Sequence, residues 1–256
     1  MHFLLAQFMF RKSPKAAMKA LDGYISDATA YASYLLFVLS AYHSCRYQHY
    51  SWVYALRFLR ASYSAESGNA TDTHAAIQNL REIAKLSSQQ SDRAIYLAVS
   101  LMETMVHLKS NGPDAIEQAQ RALAAAWKYQ LDSGAQIPQL TALAHILDVV
   151  CSIRQGNPTA MVNKLREMQM MMDGALKDPI WSSTDDTIAI PINGRNSSQV
   201  VSPDTRVIIG IGADGRDNLM MPFLSAKDAY SLTYVYPILY SLKVTEMTGT
   251  SWVEWY

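Results

Sequence analysis

Between Asp92 and Ala175 the sequence carries the same unit twice, a pair of amphipathic helices joined across a short Gly/Pro break. The first pair is expected from Asp92 to about Ser110 and from Asp114 to about Tyr129, around Asn111-Gly112-Pro113; the second is expected from about Pro138 to Gln155 and from Thr159 to about Ala175, around Gly156-Asn157-Pro158. Gly112 and Gly156 lie 44 residues apart, and each is followed by Pro at or near the first position of the next helix. A fixed period with that Gly/Pro asymmetry is the mark of a helix-pair repeat. Ile95, Ala98, Val99, Met102, Met105 and Val106 form one broad apolar stripe, and Ile116, Ala119, Leu123, Ala126 and Trp127 form the next. Each pair can bury one stripe within itself, while Ala122, Ala124 and Ala125 permit close approach by a neighbouring pair. Leu101, Met105, Ile116, Leu123, Leu143, Leu147 and Met168 are therefore expected in the core.

The flanking segments extend this pattern and then end it. Phe3 to Phe10 reads as the end of a helix, and Ser13-Pro14 starts another whose Ala17, Leu21, Tyr24 and Ala28 share a face. Val53, Leu56, Leu59 and Tyr63 define a further helix, and Ala76, Ile77, Leu80, Ile83, Ala84 and Leu86 one more; Tyr34 to His49 does not fit the spacing on either side. After Lys177, Pro179, Pro191, Pro203, Ser182-Ser183-Thr184 and Gly194-Arg195-Asn196 rule out a continuous helix. Thr187 to Ile192 and Arg206 to Ile211 are β-branched runs of strand length, consistent with a hairpin or an insertion loop. Helix is expected again from Ala226 to Tyr234, then an irregular tail from Thr245 to Tyr256. The chain thus divides into a helical-repeat region (1–178), a loop or β-hairpin insertion (179–225), and a short helix with a tail (226–256), all-α in class. Asn193 to Thr205, poor in apolar anchors, is expected to be mobile and cut early by protease.

Composition narrows the function. Half of the residues are hydrophobic and 17% are charged, too apolar a mixture for disorder. The 22 basic and 22 acidic residues balance without a long basic run, so direct nucleic-acid binding is not expected. Cys45 and Cys151 are too few for a disulfide framework and suit a reducing, intracellular compartment. In His2 to Phe10 the basic residues follow the apolar run, unlike a secretory signal, and the run Tyr31 to Tyr42 is short of the ~20 residues a membrane-spanning helix needs.

Local chemistry is sparse. Gly210-Ile211-Gly212-Ala213-Asp214-Gly215 satisfies the G-x-G-x-x-G pattern after a strand-like run, but Arg216 to Pro222 leaves no room for the helix whose N-terminus would hold a pyrophosphate. A plain loop is the expectation there, and Gly212→Ala should leave no nucleotide-binding phenotype. His43, Cys45 and His49 offer three ligand types in one segment without the fourth that a structural zinc site needs. His107 and His145 read as hydrogen-bonded structural histidines, and Met168, Met170, Met171 and Met172 as core filling or a flexible patch for a partner helix. No catalytic set, cofactor or metal is expected.

LLAQFMFRKSPKAAMKA at Leu4 to Ala20, WVYALRFLR at Trp52 to Arg60, and the stretch Ala75 to Asp148 with LMETMVHLKSNGPDAIEQAQRALAAAWKYQLD and PQLTALAHILD resemble the cohesin loading factor family, its fungal members above all. Gln169 to Leu176 and IAIPIN, SQVVSPDTR and GIGADGRDNLMM within Thr187 to Ser225 resemble its later part, so the likeness covers about Met1 to Tyr234. Tyr34 to His49 and Pro237 to Tyr256 depart from it. The resemblance implies a tetratricopeptide-like superhelical adaptor, not an enzyme, that wraps an extended N-terminal segment of the large HEAT-repeat subunit of the cohesin loader. It implies a nuclear role in cohesin association with chromatin, sister chromatid cohesion and chromosome partition in mitosis, with cohesin and chromatin met indirectly. It also implies that this chain is a portion of a longer protein or a shortened product. Helix-pair spacing alone equally allows a scaffold subunit of another assembly. Tyr96, Trp127, Tyr129 and Arg154 are partner-binding candidates by residue type, the aromatics being alternatively core and Arg154 a charge complementing its helix dipole.

Overall fold

A computed structural model of the chain describes residues 9–40, 50–67, 69–110, 112–130, 137–175, 181, 186–193, 206–212 and 214–235, with the backbone alone for 31–40 and 130. A helical turn at 9–12 leads into α1 (Pro14–Ser40), α2 (Tyr50–Ser67), α3 (Ala70–Gln90), α4 (Arg93–Lys109), α5 (Ala115–Gln130), α6 (Pro138–Arg154) and α7 (Pro158–Ala175). Three strands follow, β1 (Thr187–Pro191), β2 (Ile209–Ile211) and β3 (Asp217–Pro222), and then helix α8 at 226–235. The four helices of the repeated unit begin and end within a residue or two of their sequence expectation. None of the helices described is long and apolar enough to cross a membrane.

The chain forms two compact units, Met1–Ala135 with Ala189–Met221, and Gln136–Ile188 with Pro222–Tyr256. In the first, α1 to α5 pack each on the next. One core cluster there joins α1 and α2 through Met18, Leu21, Ile25, Leu56, Leu59 and Tyr63, as the spacing of Leu21, Leu56, Leu59 and Tyr63 predicts. Beneath it, Arg60 reaches from α2 to Asp22 on α1 with Nε to Oδ1 at 2.8 Å and Nη2 to Oδ2 at 3.3 Å. In the second unit α6 packs on α7, and Ala142, Val149, Met168, Met172, Trp181 and Ala229 share a core. Met168 and Met172 are core filling, Met171 is half-buried and Met170 is 69% exposed. Cys151 is buried in this unit, and burial, with Asp148 nearby, pushes its thiol up to about 11.

The core expectation needs a correction. Leu101, Leu123, Leu147 and Met168 are buried, and Ile116 and Leu143 half-buried, but Met105 is 46% exposed. Thr104 takes the inward position instead, its hydroxyl donating to Ser100 O at 2.8 Å and lying 3.4 Å from Ala119 O on α5. A threonine can do this because its hydroxyl is satisfied by a carbonyl of its own helix, which a count of apolar residues overlooks. Ala122 is buried and Ala125 half-buried, whereas Ala124 is exposed.

Tyr34 to His49 is described only in part. The α1 backbone stays helical to Ser40 because the stretch holds no Gly or Pro, and a helix needs no amphipathic period to continue. Residues 41–49, with His43, Cys45 and His49, lie outside the described residues, as do 1–8 and the tail from 236.

The two Gly/Pro breaks look alike and fold differently. Gly156, at φ +68°, ends α6: Gly156 N–H donates to Ile153 O at 3.1 Å and Asn157 N–H to Ser152 O at 3.2 Å. Asn157 Oδ1 then accepts from Ala160 N–H at 3.0 Å, with Pro158 as the first residue of α7. This is a Schellman end followed by a capped start. Gly112 is not left-handed; that conformation occurs instead at Ser91, φ +60°, between α3 and α4.

The strands form one antiparallel sheet in the order β1-β3-β2, with Ile209 opposite Leu219 and Ile211 opposite Asp217. The two strand-like runs of the sequence therefore do not pair with each other. Both flank β3, which the sequence reading did not foresee.

Leu101→Ala should lower unfolding free energy by about 2–5 kcal/mol, since its side chain is wholly enclosed, against about 1 kcal/mol or less for Met105→Ala. Denaturant titration of both variants checks this, and equal losses would contradict the assignment of faces.

Candidate partner-binding surface

The pairing of α4 with α5 brings two of the four candidate residues together. Tyr96 stands near the start of α4 and Tyr129 near the end of α5, and their rings meet with centroids 4.7 Å apart at 56°. Both are half-buried, so each keeps an accessible edge. Lys128 Nζ lies 5.7 Å from the Tyr129 ring centroid, within range of a cation–π attraction. Burial raises the Tyr96 phenol above its ordinary range, with Tyr129 and Glu103 adding to the effect. Trp127 is half-buried on α5, and its position two residues from Tyr129 turns it to a different side of the helix. Arg154 is exposed as the last residue of α6, in the other unit.

The strip continues along α4 with Glu103, which sequence reasoning missed, and His107. Glu103 accepts from Arg81 Nε of α3 at 3.0 Å and lies 3.5 Å from Nε2 of His107, one turn on. Burial would raise the Glu103 carboxyl, but His107 and Arg81 outweigh it and hold the group below the usual range. The Glu103–His107 contact is long, at 3.5 Å, and His107 Nε2 is a buried nitrogen with no closer hydrogen-bond partner. His145, half-buried in the other unit, is lowered by burial against the pull of Glu167 and Asp148. Among the described residues no group of three His, Cys, Asp or Glu side chains is placed to hold a metal ion.

A buried junction fixes the strands to these helices. Asp92, 2% exposed at the start of α4, accepts from the Tyr54 hydroxyl of α2 at 2.7 Å and from Asn193 N–H at 2.6 Å. Asn193 Nδ2 donates to Ser91 O at 2.7 Å, which ties down the left-handed residue. Ser51 Oγ approaches Asp217 Oδ2 at 3.4 Å, a second link from α2 to β3. Burial raises the Asp92 carboxyl, and the two donors only partly counter it. Asn193 is thus anchored, while residues 194–205 of the expected mobile segment lie outside the described residues.

The glycine motif is a hairpin turn. Gly210 and Ile211 belong to β2, Gly212 N–H donates to Arg216 O at 2.8 Å, and the chain returns as β3. Gly215, at φ +74°, supplies the left-handed turn residue. A Cβ on Gly212 would lie 2.7 Å from Asp214 Oδ1 and 2.9 Å from Asn218 Nδ2, so this glycine accommodates side chains of its own turn. A strand rather than a helix follows, so the loop does not open onto the helix N-terminus that a bound phosphate would need.

The family model described as cohesin loading factor matches residues 1–240, through Tyr34 to His49 and the strands alike. The chain belongs to the cohesin loading factor family. No curated protein and no solved structure matches the chain. The family match reaches into both units and spans the Tyr96–Tyr129 strip, the Asp92 junction and Arg154.

Stability of the chain should respond to acid with two opposite signs. Glu103, lowered in the fold, contributes stability that is present above its unfolded value of about 4.3 and lost as pH falls through the folded value. Asp92, raised in the fold, contributes stability that is complete below about 3.9 and lost as pH rises through its folded value. Denaturation midpoints measured against pH should flatten on the acid side for Glu103→Gln and in the reverse sense for Asp92→Asn. Separately, Ser91→Gly should stabilise by up to about 1 kcal/mol by relieving the left-handed backbone, and a loss would show the serine side chain to be required.

Proposed function

We propose that this chain is a non-enzymatic adaptor of cohesin loading that binds an extended segment of the large HEAT-repeat loader subunit and so supports cohesin association with chromatin in the nucleus. The family match over 1–240 carries the reading. The packing within the first unit supports it: α1 to α5 pack each on the next, and the Tyr96–Tyr129 pair with Lys128 supplies aromatic and cationic contacts of the type that anchor peptides. Cohesin and chromatin are met through the loader, in keeping with a chain of balanced charge. The nucleotide-binding alternative loses its motif to a β-hairpin. Tyr96, Tyr129, Trp127 and Arg154 are the proposed contact residues, the first two as a pair.

Immobilised N-terminal segment of the large loader subunit should retain the full chain. Tyr96→Ala with Tyr129→Ala should weaken retention several-fold while leaving helicity unchanged, because the aromatic pair is half-exposed. Failure of the folded chain to be retained would remove the adaptor assignment and leave a helical scaffold of another assembly.

A further inference from the structure

We infer that Ser13, where the helical turn at 9–12 meets α1, is a phosphorylation site for a proline-directed kinase, and that Lys12 and Lys15 hold the resulting phosphate at the start of α1. Ser13-Pro14 is one of two Ser-Pro pairs in the chain and the one that lies among the described residues. Proline lacks an N–H and its ring drives the preceding residue out of the α region, so regular helix has to break at Ser13. The break is present: 9–12 and Pro14–Ser40 are helical, and Ser13 is exposed between them. Its backbone is tied, N–H donating to Met9 O at 2.7 Å and carbonyl accepting from Ala17 N–H at 3.0 Å, whereas its hydroxyl makes no hydrogen bond among the described residues. The turn before it is held by the Phe10 ring, stacked on Tyr63 at 3.8 Å between centroids and 11° between planes. Opening that turn, to give the extended form a kinase takes, costs far less than opening α1.

The surroundings suit the phosphate once it is formed. Arg11, Lys12, Lys15 and Lys19 are all exposed, and 11–21 contains no acidic residue. Lys12, Ser13 and Lys15 line one cleft of about 630 Å³, with Phe10 and Met18 as its apolar part and Glu66 and Asp72 across from them. A phosphate on Ser13 therefore has both lysines beside it and the favourable end of a 27-residue helix behind it. In the transfer, Ser13 Oγ attacks the γ-phosphorus of ATP, the bond to the β-phosphate oxygen breaks, ADP leaves, and the hydroxyl proton passes to the kinase's base. The product group carries about −1.5 to −2 charges at pH 7, enough to offset Lys12 and Lys15. The Ser67 hydroxyl and the Asn69 amide hold the Asp72 carboxyl below its ordinary range, and Arg60 and Lys15 add to this, so the field of Lys15 reaches across the cleft. Phosphorylation thus turns a cleft with walls of opposite charge into one whose sign is set by Glu66 and Asp72.

The full chain carrying Ser202→Ala, which removes the other Ser-Pro acceptor, provides the test when incubated with a recombinant proline-directed kinase and magnesium ATP. Mass spectrometry should map a phosphate to Ser13, and Ser13→Ala should abolish that signal. In ³¹P NMR the phosphoserine of the folded chain should titrate about half a unit below its value for the same chain in urea. Lys12→Gln/Lys15→Gln, introduced after the site is established, should bring the two values together; both side chains are exposed, so circular dichroism should match the parent chain. A full chain that stays unmodified while a synthetic peptide of residues 6–20 is phosphorylated overturns the site, because the fold then hides Ser13. Failure of both overturns it at the level of the Ser-Pro sequence. Equal titration in the folded and unfolded chain, or a shift that survives replacement of the lysines, overturns the phosphate cradle assigned to Lys12 and Lys15.

Discussion

Helix α4 must be covered on more than one side, and the first unit is organised by that need. Ile95, Leu97, Ala98, Val99 and Leu101 are all buried, so apolar residues point in nearly every direction over the first half of the helix. A helix of that kind cannot rest at a surface. Packing α3 on one flank and α5 on another supplies the cover, at roughly 25 cal/mol for each Å² of apolar area withdrawn from water. Short links force both neighbours to run antiparallel to α4. That polarity sets the start of α4 beside the end of α5, which is why Tyr96 meets Tyr129.

Covering α4 also encloses its N-terminus, and there a carboxylate is buried. Asp92 could be tolerated at that position only with donors supplied from elsewhere, since an unpaired buried charge costs several kcal/mol. Tyr54 and Asn193 supply them. A consequence is that the strands are attached to the helices by directional bonds as well as by apolar contact. Ile192 N–H donates to Asp217 O, and Ser51 reaches Asp217, so α2, the α3–α4 turn, β1 and β3 share one polar junction. The left-handed Ser91 fits the same account: a conformation costly for a non-glycine residue persists where its carbonyl is tied from outside.

Much of the helical part was legible because helix formation and helix burial both leave a local periodic trace. α4 to α7 could be delimited from spacing, from Gly156 and from Pro158. Tertiary choices left no such trace. Asp92 and Asn193 are 101 residues apart, and neither carries a signal that points to the other. β3 escaped notice because Asp217-Asn218-Leu219-Met220-Met221-Pro222 combines turn-forming residues with methionines, although only Leu219 needs to be buried for the strand to sit between two others. The exchange of Thr104 for Met105 on the inward face shows the same limit within one helix. Tyr96 and Tyr129 were legible as residue types, but their pairing required the fold. Phe10, Lys12, Lys15, Glu66 and Asp72 come together only because the start of α1 lies against the α2–α3 junction.

A single aromatic pair contributes about 1 kcal/mol, which gives no durable complex alone. If the chain acts as the adaptor proposed above, the Tyr96–Tyr129 pair would need further weak contacts along the same partner segment. Each contact after the first would then be intramolecular, and avidity can exceed either affinity by about 10²–10⁴ when the linker matches the span. The rigid cover of α4 would be of use beyond stability, because packed helices would hold the aromatic pair at a constant distance from other contacts of the first unit.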